Sequence, residues 1–202
     1  MAAWLLIASA GAQGIAPRDV VQSAVTRVIQ TLDAAQQRPR LARAGRPQTD
    51  GARTEIRRIA SELFDFDEVS RRALGRHWTG RSPAEQAEFV ALFTELLERA
   101  YVGKIEAYSG ERILYTSEVI DGEYATVRSR VQTTQRREVG LDYRLHLTAG
   151  GWKVYDVLID GVSFVSTYRS EFNRIIKLHS WDELMDRLRK KQVPARTIVD
   201  RS

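Results

Sequence analysis

The chain has 202 residues, enough for one domain of ordinary size with a sizeable core. Its 31 Lys plus Arg against 26 Asp plus Glu leave a formal charge of +5, a mild excess that favours anionic partners without choosing among nucleic acid, phospholipid headgroups and acidic proteins. With no cysteine, a disulfide framework and a thiolate metal site are excluded, and His77, His146 and His179 stand too far apart in sequence for metal-ligand spacing.

Residues 1–14 carry no charge and contain the apolar run A-A-W-L-L-I-A-S-A-G-A-Q-G. The run is similar to the apolar part of a secretory signal peptide, with Ala8 and Ala10, or Ala10 and Ala12, fitting a small-x-small cleavage pattern. It is too short to span a bilayer as a helix. Export with removal of this segment is the expectation, although no Lys or Arg precedes the run; the competing reading is a buried N-terminal helix.

Pro17 to Gln37 place Val20, Val21, Ala24, Val25, Val28, Ile29 and Leu32 at helical spacing, with Pro17 suited to a first turn. The stretch 38–51, with four Arg, two Pro and two Gly, reads as an exposed basic connector. A second helix is expected from about Ala52 to Leu63, then a short one capped by Asp65 or Asp67 and ended by Gly75. Ser82-Pro83-Ala84-Glu85 combines a capping box with Pro at the first helical position. The helix it starts runs to about Tyr108, with a stripe of Phe89, Phe93, Leu96, Leu97, Ala100, Tyr101, Ile105 and Tyr108. So long a stripe needs a large apolar partner surface.

Strands supply that partner. Arg112 to Val119 and Glu123 to Thr133 flank Asp121-Gly122, a hairpin signal. Leu141, Tyr143, Leu145 and Leu147 alternate with polar residues, and Gly150-Gly151 turns the chain into Trp152 to Asp160. That last strand breaks phase: Trp152 and Val154 share one parity, Tyr155, Val157 and Ile159 the other, so it is either bulged or apolar on both faces. After Gly161 a helix carries Val162, Val165, Tyr168, Phe172, Ile175 and Ile176, and Trp181 to Arg189 form another. The domain so outlined is 15–191, with 192–202 expected as a loose tail.

Several separated motifs in order now carry a resemblance: F-D-F-D-x-x-S-R-x-A-L-G-x-x-W from Phe64, F-x-x-x-F-x-x-L-L-x-x-x-Y from Phe89, D-Y-R-L from Asp142, G-W-K-V-Y-D-V from Gly151, and I-x-G-V-S-x-V-x-x-Y-R-S-x-F from Ile159. Over about residues 52–191 the chain resembles the MlaC family, also called toluene-tolerance proteins. The resemblance implies an α+β fold, an antiparallel four-stranded sheet wrapped by several helices around an apolar cavity in a nuclear-transport-factor-like cone. It implies a soluble, monomeric periplasmic carrier of phospholipid or a hopanoid-type lipid. Such a carrier shuttles lipid between outer and inner membranes by way of an outer-membrane lipoprotein complex and an inner-membrane ABC transporter. No cofactor, metal, catalytic residue or nucleic-acid partner is implied.

By motif position the resemblance makes Leu74, Trp78, Phe93, Leu97, Tyr101, Ile105, Val127, Leu145, Val154, Val157, Ile159, Val162, Val165 and Tyr168 the candidate cavity lining. For each residue alone, plain core packing is the competing reading. Arg144, Lys153 and Arg169 are candidates for meeting a lipid phosphate, since guanidinium groups pair well with phosphate oxygens. The alternative pairs Arg144 or Arg169 with Asp142, Asp156 or Asp160 to hold strand to helix.

Two rival functions follow from other features. Small cone-shaped α+β folds of the ketosteroid-isomerase kind use one carboxylate in an apolar cavity as general base, and Asp156 or Asp160 would be that group here. Spacing identifies no partnering acid or oxyanion donor. A nucleic-acid binder is suggested by Arg128, Arg130, Arg136 and Arg137, but arginines and aromatics are not interleaved on one strand face as single-strand readers require.

Overall fold

The computed structural model describes residues 14–37, 49–132 and 137–194. Residues 1–13 of the signal-like segment, all but the end of the basic connector, Arg136 and the last eight residues of the tail lie outside the described residues. In chain order the elements are α1 (Pro17–Gln37), α2 (Thr49–Leu63), α3 (Phe66–Leu74), α4 (Pro83–Glu106), β1 (Arg112–Asp121), β2 (Tyr124–Gln132), β3 (Glu138–Thr148), β4 (Gly151–Ile159), β5 (Val162–Ser163), α5 (Phe164–Leu178) and α6 (Trp181–Arg189).

Local chemistry sets the helix ends. Asp65 caps α3 by accepting from the Glu68 N–H at 2.9 Å, and Gly75 ends it at φ +59, a left-handed conformation that glycine adopts without a Cβ penalty. The capping box of α4 is complete: Glu85 N–H donates to Ser82 Oγ at 3.3 Å, and Ser82 N–H to Glu85 Oε2 at 2.8 Å.

All strands join one antiparallel sheet in the order β1-β2-β3-β4-β5, so the expected count of four becomes five. The fifth, only two residues long, pairs Val162 with Ile159 across a turn at Asp160 and Gly161. So short a strand, running directly into a helix, has no period to read. Asp160 holds a positive φ of 48 there, and its Oδ1 accepts from Gly140 N–H at 2.7 Å.

The phase break in β4 is a bulge. Arg144 pairs with Asp156 and Leu145 with Val154, leaving Tyr155 as the extra residue. Trp152 and Val154 before the bulge therefore share a face with Val157 and Ile159 after it, and Tyr155 turns to the other side.

Two apolar cores result. On the inner face of the sheet, Ala125, Val127, Tyr143, Leu145 and Val154 pack with Val21 and Ala24 of α1 and Ile59 and Leu63 of α2. The second core is helical, joining Leu74 of α3, Phe89, Phe93, Leu96 and Leu97 of α4, Val165, Tyr168, Phe172 and Ile175 of α5, and Leu184, Met185 and Leu188 of α6. Phe64 packs against both, and its strand-like pairing with Val154, with Asp65 N–H donating to the Val154 carbonyl at 3.0 Å, seams the two together. Val193 is buried in the helical core, so the expected loose tail is anchored at its start.

Candidate functional site: an apolar region left open between two cores

The long helix is filled at one end and open at the other. Along one stripe of α4, Phe89 and Phe93 are fully buried and Leu97 is 8 % exposed, whereas Tyr101 is half-buried and Ile105 is 37 % exposed. The side chains keep their helical spacing; the packing partners run out.

The inner sheet face is filled in its middle and loses packing toward both ends, at Leu147, 45 % exposed, on one side and over the following rows on the other. The row Ala125, Leu145 and Val154 is buried. In the next row Val127 and Tyr143 are buried and Val157 is half-buried. One row further the face reads Tyr115, Ser129, Leu141, Ile159, Val162, each residue directly opposite the next. There Leu141 and Ile159 are half-buried and Val162 is 49 % exposed.

One ring contact links the two stripes beside β5. Two residues after Val162, the Phe164 ring packs edge-on against Tyr101 with centroids 5.5 Å apart. Polar ties hold the open half of α4 from the other side. Arg53 of α2 forms a two-point ion pair with Glu106 at 2.7 and 2.9 Å, Arg57 reaches Glu98 at 3.0 Å, and Gln36 at the end of α1 reaches the Tyr108 carbonyl at 3.5 Å. Glu106 is held below its usual carboxylate value by its bonds to Arg53. Half-buried Val25 and Val28 of α1 add apolar surface on the covered side of the sheet. Among the tyrosines, burial pushes the phenols of Tyr101 and Tyr143 well above their usual value, and that of Tyr115 up to about 12.

The expected lining residues divide between the two cores. Leu74, Trp78, Phe93, Leu97, Tyr101, Val165 and Tyr168 belong to the helical core or pack on it, and Val127, Leu145, Val154 and Val157 to the sheet core. Of these, Leu74, Phe93, Val127, Leu145, Val154, Val165 and Tyr168 are at most 2 % exposed and so occupy filled space. Tyr101, Ile105, Val157, Ile159 and Val162 face the open region. Leu141 and Tyr115 belong with them. Leu141 was legible as an apolar-phase residue of its strand, but Tyr115 was not, because the β1–β2 register shifts between Tyr115 and Ser117.

The charged candidates lie elsewhere. Arg144 and Lys153 carry the opposite phase and stand on the outer face of the sheet. Arg144 Nη1 lies 3.4 Å from Asp156 Oδ2, Lys153 Nζ donates to the Glu62 carbonyl, and Arg169 Nε donates to the Arg72 carbonyl at 2.7 Å. Asp156 is 4 % exposed and also accepts from Ser163 Oγ at 2.7 Å and Val165 N–H at 3.0 Å. It therefore fastens β4 to the start of α5. Asp160 is exposed and engaged with Gly140. Among the described residues, no group of three or more His, Asp or Glu could hold a metal ion, and no helix is long and apolar enough to cross a membrane.

Comparison with known proteins agrees with this architecture. The sequence profile of the MlaC protein family matches residues 22–190. The intermembrane phospholipid transport system binding protein MlaC of Haemophilus influenzae is 24 % identical over 143 residues, covering 68 % of this chain and 67 % of that protein. The toluene tolerance protein ttg2D of Pseudomonas putida is 23 % identical over 158 residues, covering 77 % of this chain and 71 % of that protein. Among solved structures, the phospholipid-binding protein of Ralstonia solanacearum, in complex with a phospholipid, superposes with a TM-score of 0.74 at 25 % identity, over 91 % of this chain and 100 % of the other. With its motifs in family order, its α+β architecture and a profile match over most of its length, the chain belongs to the MlaC family.

Proposed function

We propose that this protein is a phospholipid carrier that encloses acyl chains between the open half of α4 and the open end of the inner sheet face. It works in the periplasm as the soluble component of a lipid-trafficking system, exchanging lipid with an inner-membrane ABC transporter and an outer-membrane lipoprotein complex. The observation that carries the reading is the loss of packing along two apolar stripes, from Leu97 to Ile105 on the helix and from Val154 to Val162 on the sheet, which the Tyr101–Phe164 contact links. Ordinary cores are filled to crystal-like density, and a stripe that keeps its apolar residues while losing its partners is suited to a removable one.

Energetics favour enclosure over surface contact. Two acyl chains hold about thirty methylenes, and at ~0.8 kcal/mol each their exposure to water would cost roughly 24 kcal/mol. Surface basic groups at about 1 kcal/mol apiece cannot offset that. The phospholipid bound by the Ralstonia protein supports this assignment.

The test is purification from a bacterial host without detergent, followed by native mass spectrometry and lipid extraction. A mass shift matching bound phospholipid is expected. Protein found only at its unliganded mass under gentle conditions refutes the reading.

A further inference from the structure

The row of inner-face residues at the open end contains one polar atom with nothing to bond. Tyr115 Oη is buried, and no hydrogen-bond partner reaches it. Its row neighbour Ser129 is already committed, with Oγ donating to the Leu141 carbonyl at 2.6 Å. Arg18 lies across the Tyr115 ring, its guanidinium carbon 5.7 Å from the centroid, and donates to the Tyr115 backbone carbonyl instead of the phenol. A buried hydroxyl without a partner is costly, and phenylalanine would fill the same apolar space without it. The oxygen thus calls for an acceptor that the described residues do not supply.

Resting on the carrier reading, we infer that the Tyr115 hydroxyl is a specificity contact that donates to an ester carbonyl oxygen of the lipid, where acyl chain meets glycerol. The row Tyr115, Ser129, Leu141, Ile159, Val162 is buried at its polar end, at Ser129 and the Tyr115 hydroxyl, and opens into apolar surface over Leu141, Ile159 and Val162. A lipid lying along that surface brings its ester carbonyls, the polar atoms nearest its chains, to the polar end of the row. Contact requires the half-buried side chains beside Tyr115 to shift as the lipid seats. Ester-linked diacyl lipids meet the requirement; ether-linked lipids and polycyclic hydrocarbons of the hopanoid kind have no carbonyl to offer.

The test compares two phosphatidylethanolamines of equal chain length, one diacyl and one dialkyl ether, in competition for the delipidated full chain and its Tyr115→Phe variant. The parent is expected to prefer the ester lipid by about tenfold, the size of one neutral hydrogen bond whose loss strands a donor. Tyr115→Phe is expected to lose that preference, keep its binding of the ether lipid, and melt at or above the parent's temperature. An ester preference that survives in Tyr115→Phe overturns the inference, as does a parent with no preference. A lower melting temperature for the lipid-free variant also overturns it, because the hydroxyl would then serve the fold. A parent that binds neither lipid removes the carrier reading itself, and this inference with it.

Discussion

Replacing Ile159 by Trp separates a wall that faces lipid from one that faces protein. Ile159 is half-buried between Leu141 and Val162 on the inner face, so an indole there projects into the open region. The larger side chain takes the space of about two more methylenes, which at ~0.8 kcal/mol each is about 1.6 kcal/mol, or affinity weakened roughly 15-fold. The fold should lose no more than about 1 kcal/mol, a shift of ~3 °C in melting temperature. Val154→Trp is the control: Val154 is fully buried against Phe64, and overpacking a filled core costs about 1–3 kcal/mol or more. Lipid content by native mass spectrometry and competition with a fluorescent phospholipid report binding; thermal denaturation reports the fold. The reasoning fails if Ile159→Trp carries as much lipid as the parent. It fails equally if Ile159→Trp is destabilised as much as Val154→Trp, since the site would then be filled core.

Two further outcomes follow. Asp156→Ala strands the Val165 N–H, the Ser163 hydroxyl and the Arg144 guanidinium, so thermal unfolding should reveal a loss of about 3 kcal/mol, near 10 °C; a loss under 1 kcal/mol would show that the carboxylate does not fasten α5. Burial raises the Glu68 carboxyl, but bonds from Arg71 and Arg72 outweigh it and hold the group below its usual carboxylate value. Its contribution to stability is therefore present above about pH 4.5 and lost as pH falls through the lowered folded value, so Glu68→Gln should flatten the acid limb of melting temperature against pH, and parallel curves for parent and variant would refute the assignment.

What the amino-acid sequence determined by itself was local and periodic. Ser82 with Glu85 set the start of α4, Asp65 and Gly75 bounded α3, and the alternation in β3 assigned each residue to a face, because caps and strand parity depend on neighbours a few positions away. The parity break in β4 was legible too, and the β3–β4 register then chose a bulge at Tyr155 over a strand apolar on both faces. Tertiary structure decided which stripe residues are filled and which are open. Phe93 and Ile105 occupy equivalent positions on one helical stripe, and only the arrival of α5 and α6 beside the first, and not the second, separates a filled core residue from an open one. Strand register likewise decided that Arg144 meets Asp156 on the outer face, and that Tyr115 joins Leu141 and Ile159 in one row, since which residues pair across neighbouring strands follows from hydrogen-bonded ladders that no local pattern encodes.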